Sequence, residues 1–174
     1  MSVYPPREDS YFLKQYLENL ELEDKEVLDM GTGSGILALE MAEKAAEVTA
    51  VDINQEAVEE VSRKSERRGL GIDVFKSDLF EHVDAEFDLI VFNPPYLPGE
   101  VSMEGGEMWR GGETGVELAE SFLEEVDSYL KDGGKAMILV SSRSDTAQLK
   151  QKFELDVVER VELWFETLYL AEYK

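Results

Sequence analysis

The chain has no cysteine among its 174 residues. Disulfides and thiolate zinc sites are therefore unavailable, and the redox compartment is left open. Histidine occurs once, at His82 in a polar stretch, which suits a surface role better than a general base. No run of about 18 apolar residues is present, and the N-terminus lacks a basic-then-apolar leader pattern. A cytoplasmic location and no membrane partner are expected by default. Positive charge is also scarce: 17 Lys and Arg face 39 Asp and Glu, a net charge of −22. Phosphate backbones are gripped by Lys and Arg, so such a surface disfavours nucleic acid. No basic stripe with interleaved aromatics appears. The nearest candidate, Arg63-Lys64-Ser65-Glu66-Arg67-Arg68, ends a predicted helix, where cations complement the helix dipole. A hydrated anionic surface suits high salt. Strongly halophilic chains lean toward Asp and Arg, however, and here Glu leads Asp 27 to 12 and Lys leads Arg 10 to 7.

What is present fits one compact domain spanning 1–174, with 1–24 as an N-terminal lid and helix segment. At this length about 70% of the unfolded surface can be buried, and 43% of residues are hydrophobic. No repeat or low-complexity segment occurs. Glu8 to Leu20 shows Phe12, Leu13, Tyr16, Leu17 and Leu20 at helical spacing. Strands are predicted near 26–30, 47–51, 72–76, 87–92 and 134–140. Helices near 35–45, 55–68, 116–130 and 145–152 separate most of them. Lys131-Asp132-Gly133-Gly134 reads as a turn after a helix, with glycine as its C-cap. Two last runs, near 155–164 and 166–173, are joined too tightly for a crossover and should pair antiparallel. The expected fold is α/β: a doubly wound, mostly parallel, seven-stranded sheet with a C-terminal hairpin. The third strand, Ile72-Asp73-Val74-Phe75, should be an edge. The stretch from Leu97 to Thr114 is the least regular. It carries Met103, Met108 and Trp109, which either pack the loop down or grip a substrate.

Two motifs carry chemistry. Asn93-Pro94-Pro95-Tyr96 follows the apolar run Phe87–Phe92. An amide, two rigid prolines and a ring at a strand's C-terminal end can form a pocket for a planar NH2 group. The Asn93 carbonyl and a backbone carbonyl can accept its two hydrogens. The prolines remove competing donors and fix φ, and the tyrosine ring can stack on the flat group. The same residues could also form a plain strand-ending turn. Upstream, Val27-Leu28-Asp29-Met30 leads into Gly31-Thr32-Gly33-Ser34-Gly35 and then a helix. Glycines allow close approach of backbone to a ligand, and the helix N-terminus adds free N–H groups. Asp52 ends the next strand, 17 residues after Gly35. That is close to the ~20-residue spacing at which an acid meets a ribose. The spacing does not separate NAD from S-adenosylmethionine. The glycine pattern departs from the dinucleotide fingerprint, since its third glycine comes two residues after the second.

Together these residues resemble class I S-adenosylmethionine-dependent methyltransferases of the HemK-like family, in the short archaeal and eukaryal type that methylates a release-factor glutamine. Tyr4-Pro5-Pro6-Arg7-Glu8-Asp9-Ser10 is similar to that group's N-terminal segment, and Asp29 to Gly35 to its cofactor loop. Ser77-Asp78-Leu79-Phe80, the Asn-Pro-Pro-Tyr tetrapeptide and Trp109-x-Gly111-Gly112-x-x-Gly115 complete the match. Position 29 is Asp where many relatives carry Glu, so that carboxylate reaches less far. The resemblance implies cofactor contacts from Asp9, Ser10, Asp29, Gly31, Gly33, Gly35, Asp52, Ile53, Asp78, Leu79 and Asn93. It implies catalysis by Asn93, Pro94, Pro95 and Tyr96, with no metal. The implied substrate is the glutamine of a Gly-Gly-Gln loop in a class 1 release factor. A small zinc-ribbon activator protein at the third-strand edge is implied as a possible partner. The extra N-terminal helical domain of bacterial release-factor methylases is not expected. The alternatives are methylation of an amino group in nucleic acid or a small molecule, and a cofactor-binding subunit without catalysis.

Overall fold

Strands that are apolar on both faces need cover on both faces, and the order of elements supplies it. A computed structural model describes residues 3–96, 100–102, 108–110 and 114–174. The first half runs α1 (Glu8–Leu17), β1 (Glu26–Met30), α2 (Ile36–Met41), β2 (Glu47–Asp52), α3 (Gln55–Arg68), β3 (Ile72–Lys76) and β4 (Phe87–Phe92). The second runs β5 (Glu100–Ser102), β6 (Met108–Arg110), α4 (Glu117–Glu125), β7 (Leu130–Ser141), α5 (Thr146–Lys152), β8 (Asp156–Glu162) and β9 (Thr167–Tyr173).

Seven strands form one sheet in the order β3-β2-β1-β4-β7-β9-β8. The pairs through β7 are parallel, and β9 runs antiparallel to both β7 and β8. The expected class, the terminal hairpin and the edge position of β3 all match. Alternate side chains feed two cores. Leu28, Ile90, Phe92 and Ile138 pack with Phe122 and Leu123 of α4 on one face. Val27, Leu89, Val91 and Met137 pack with Leu13 and Leu17 of α1 and with Leu37 and Met41 of α2 on the other. The chain goes outward from β1 to β3, then returns to β1's other side with β4. That reversal is the point where open α/β sheets bind ligands.

Some boundaries differ from those expected. α1 stops at Leu17, not Leu20, and α2 is only six residues long. The helix before β7 tightens into a 3-10 turn at Val126–Tyr129. Lys131 to Gly134 is not a helix cap but part of β7, held as a bulge. β4 pairs Phe87 with Leu130 and then Leu89 with Lys135, so the strand absorbs extra residues between. The stretch after Tyr96 is less irregular than its sequence implies, because β5 and β6 pair as a short antiparallel ribbon. Met103, Gly111 and Gly112 lie outside the described residues. The basic cluster closes α3 as expected, with Gly69 as a left-handed cap at φ +66°. Among the described residues, no helix is long and apolar enough to cross a membrane.

The bulge generates a test of the fold. A Cβ at Gly134 would stand 2.7 Å from the Phe87 carbonyl oxygen and 2.9 Å from that of Lys131. Both are backbone atoms that cannot swing aside. Gly134→Ala is expected to lower unfolding stability by about 1–3 kcal/mol, the scale of local backbone strain. Urea denaturation of the two proteins measures it.

Candidate active site

The C-terminal ends of β1, β2, β3 and β4 open on one cavity of about 390 Å³. The loop after β1 forms its floor, with Gly31, Thr32, Gly33 and Ser34 on the wall. Gly35 does not reach the cavity; it turns the chain into α2. There φ is +79°, and a Cβ would stand 2.7 Å from Cγ2 of Val61. The Thr32 amide donates to the Val51 carbonyl at 2.9 Å. Lys64 of α3 donates to the Ser34 carbonyl at 2.7 Å.

Two buried carboxylates hold this loop. Asp52 is 3% exposed and lines the cavity. Its Oδ2 accepts from the Gly33 amide at 2.8 Å, and its Oδ1 from the Asn54 amide at 2.8 Å. Asp29 is 1% exposed and does not line the cavity. Its Oδ2 accepts from the Thr32 hydroxyl at 2.7 Å and from the Ala38 amide at 3.1 Å. The expected free donors at the start of α2 are thus partly spent inside the protein. Ile53 is half exposed at the rim. Asp78 and Leu79 follow β3 and line the far end. Leu79 has φ +44°, a left-handed conformation that is costly for a bulky side chain. The Ser77 hydroxyl holds it by donating to the Leu79 carbonyl at 2.7 Å, while accepting from the His82 amide at 3.0 Å.

The N-terminal segment closes the opposite side through Tyr4, Arg7, Asp9 and Ser10. Asp9 sits in the first turn of α1 and is 5% exposed. Its Oδ1 accepts from the Ser10 amide at 2.7 Å and hydroxyl at 3.2 Å. Its Oδ2 accepts from the Tyr4 hydroxyl at 3.4 Å and from Nδ2 of Asn93 at 3.2 Å. Asn93, Pro94, Pro95 and Tyr96 form the wall beside it. The Asn93 Oδ1 is buried and has no donor among the described residues. An unpaired buried acceptor costs about 1–3 kcal/mol. The Tyr96 carbonyl accepts from the Ser144 hydroxyl, which ties the tetrapeptide to the end of β7. The Tyr96 phenol is held well above its ordinary value by burial and by the charges of Asp9 and Glu166.

Comparison with known proteins agrees with this geometry. The model of the methyltransferase small domain matches residues 9–163. The chain belongs to this family, in its HemK-like branch. A Methanocaldococcus jannaschii protein, named as a candidate protein N5-glutamine methyltransferase, is 36% identical over 95% of this chain and 88% of its own. The release factor glutamine methyltransferase of Streptococcus pneumoniae is 36% identical over 76% of this chain but only 52% of its own length. The chain therefore spans about half of such bacterial relatives. Among solved structures, the ribosomal protein L11 methylase of Lactobacillus delbrueckii superposes with a TM-score of 0.76. It is 20% identical and covers 99% of this chain and 82% of its own. A T. thermophilus 16S rRNA methyltransferase solved with AdoMet and guanosine gives 0.72 at 23% identity, over 98% of this chain and 44% of its own.

Most residues singled out by sequence meet at this methyltransferase's cavity; Asp29 and Gly35 support the loop from behind. Thr32, Phe92 and Leu118 also line it and were not singled out. Thr32 and Phe92 had a signal, a hydroxyl between two glycines and the last residue of a strand that ends at the site. Leu118, one residue inside α4, had none. His82 is exposed in its turn.

Burial drives the Asp29 carboxyl up to about 7 from an ordinary 3.8. The nearby Asp52 charge adds to the rise, and the bonds from Thr32 and Ala38 oppose it. Between about 4 and 7 the folded chain holds a proton that the unfolded chain has released. Stability therefore falls as pH rises through this window, then levels off. Asp29→Asn removes the titration, and its amide oxygen can keep both donors. The variant is expected to gain on the parent as pH rises from 4 to 7, by up to about 1.4 kcal/mol per pH unit. Denaturation midpoints across that range measure the difference.

Proposed function

We propose that this methyltransferase moves a methyl group from S-adenosylmethionine to the side-chain amide nitrogen of a glutamine. The proposed acceptor is the glutamine of the Gly-Gly-Gln loop in a class 1 release factor. The single observation that carries the reading is the Asn93 Oδ1, buried at the cavity wall with no donor among the described residues. It is an acceptor whose hydrogen-bonding capacity is unspent, on a residue that lines the cavity.

The residues fit the cofactor. The cavity is in the size range of small-molecule sites. Asp52 and Asp78 supply acceptors for ribose hydroxyls and an adenine amino group, and Leu79 supplies an apolar face. Gly31 and Gly33 leave backbone exposed where an amino-acid tail would lie. Ser10 and Asp9 flank that end. When bound, the cofactor supplies an electrophilic methyl on a sulfonium. The chain's own task is then alignment. Asn93 Oδ1 accepts one hydrogen of the substrate NH2, and the Pro94 carbonyl accepts the other. The substrate nitrogen forms its bond to carbon as the carbon–sulfur bond breaks, the electron pair going to sulfur. The nitrogen then loses one proton to solvent. Alignment of this kind can contribute on the order of 7–11 kcal/mol. Tyr96 packs on the flat amide.

Names of relatives and charge both support a protein acceptor. The M. jannaschii and S. pneumoniae proteins are named for glutamine methylation, and a surface at −22 repels phosphate backbones. A finer proposal concerns β3. Among the described residues its outer edge is unpaired in the sheet, and such an edge accepts an added strand from a partner. A small zinc-ribbon activator protein is the proposed partner there.

Purified protein, with and without a co-expressed activator, should add one methyl to that glutamine, detected by mass spectrometry. Transfer to DNA or RNA at the same salt, with none to the release factor, would replace this reading with the nucleic-acid one. Asn93→Ala should lower turnover by at least about 100-fold, the scale for removing a positioned polar group. Asp52→Ala should instead weaken cofactor binding by about 1.5–3 kcal/mol, measured by calorimetry.

A further inference from the structure

We propose that Asp9 is a positioning residue for Asn93: its carboxylate fixes which way the Asn93 amide faces. The inference deepens the proposed function and rests on Asn93 receiving a substrate N–H. An asparagine amide has two near-isosteric orientations about its last torsion, one presenting oxygen to the cavity and the other NH2. Only the first can accept from a substrate NH2. The second meets it donor to donor.

The surroundings decide between them. Asp9 Oδ2 lies 3.2 Å from Asn93 Nδ2. An ionised carboxylate only accepts. If the amide turned over, two acceptor oxygens would face each other at that distance with no hydrogen between them. The NH2 must therefore face Asp9, and the Oδ1 faces away from it, buried and without a donor among the described residues, on a residue that lines the cavity. The carboxylate is itself held. Its Oδ1 is taken by the Ser10 amide and hydroxyl, so Oδ2 is the oxygen presented to Asn93. Tyr4 donates to the same Oδ2 at 3.4 Å. The Tyr4 backbone also lies about 4 Å from where a Cβ on Gly33 would stand. One short segment thus touches the glycine loop and sets the amide, across 84 residues of sequence. Asp9 touches no reacting atom in this scheme; it acts through Asn93.

This separates Asp9 from a plain cofactor ligand. Loss of a ligand raises the cofactor dissociation constant. Loss of a positioning group lowers kcat at saturating cofactor, and only while Asn93 is present. Asp9→Ala and the near-isosteric Asp9→Leu are the variants, the second guarding against a cavity-driven folding defect in the first. Each should lower kcat about 10–100-fold, the range for a misplaced catalytic geometry. Calorimetric cofactor affinity should fall by clearly less than kcat does. In an Asn93→Ala background the same changes should cost nothing more, because residues acting as a unit are non-additive. A second readout needs neither cofactor nor substrate. In 15N-labelled protein, the Asn93 side-chain NH2 should show one shifted, slowly exchanging hydrogen, and Asp9→Ala should abolish it. The proposal is overturned if that signal survives in Asp9→Ala. It is also overturned if turnover falls equally in both backgrounds, or if cofactor affinity falls as far as turnover. A parent protein that leaves the release factor unmethylated would instead sink the substrate reading, and the amide signal would still decide the role of Asp9.

Discussion

The carboxylates of Asp29 and Asp52 let a loop of bare backbone sit still at the end of a sheet. Parallel strands finish on a common edge, so the chain must leave β1 through a turn whose amides face a cavity. Unpaired buried amides are expensive, and here neighbouring strands satisfy them. Asp52, at the end of β2, reaches sideways to the Gly33 amide. Asp29, one residue before the end of β1, reaches forward to Thr32 and Ala38. Two carboxylates buried this close oppose each other's ionisation, and Asp52 is among the causes that raise Asp29. Asp52 holds the loop and also lines the cavity, and each of its oxygens has a second acceptor site.

From that loop the rest of the site follows by topology. β4 returns beside β1, so Asn93 emerges next to the glycine loop and not at a sheet edge. The gap between them is the cavity, and α1 covers it from the N-terminal side. Lys14 of α1 pairs with Glu40 of α2 at 2.9 Å, and Leu13 and Leu17 are fully buried in the core on that face. The helix carrying Asp9 is thus anchored at its C-terminal half while its first turn bears on the site. Such an anchored first turn suits a residue that must hold another side chain in one orientation.

Much of this was legible in the sequence because it rests on short-range rules. Gly31 to Gly35 can only be a turn, and Asn93-Pro94-Pro95 can only end a strand. The near-continuous apolar run of β4 marked a strand covered on both faces. What was not legible depended on contacts distant in sequence. Nothing in Lys131-Asp132-Gly133-Gly134 reveals a bulge opposite Phe87, because the local residues read as a turn. The place of Asp29 behind the cavity was hidden for a similar reason. Its motif suggests a ligand, and only the fold shows that Thr32 and Ala38 both donate to its Oδ2. Leu118 enters the wall because α4 packs on β4, a consequence of tertiary packing alone.

Charge decides what the shared geometry leaves open. A pocket for a planar amino group suits glutamine, adenine or cytosine equally, and the same sheet serves enzymes that act on RNA and on proteins. The difference must lie outside the pocket, in what the surface lets approach. A nucleic acid gains affinity by replacing counterions with Lys and Arg. Of the 17 such residues here, at least eight already lie within ion-pair distance of a carboxylate. Exposed pairs of this kind contribute little stability, but each one must be broken before its cation can meet a phosphate. A polyanion would therefore face both the excess of acids and the cost of releasing the bases. A protein loop faces neither, since its backbone carries no charge and a basic flank would be drawn toward the acidic surface.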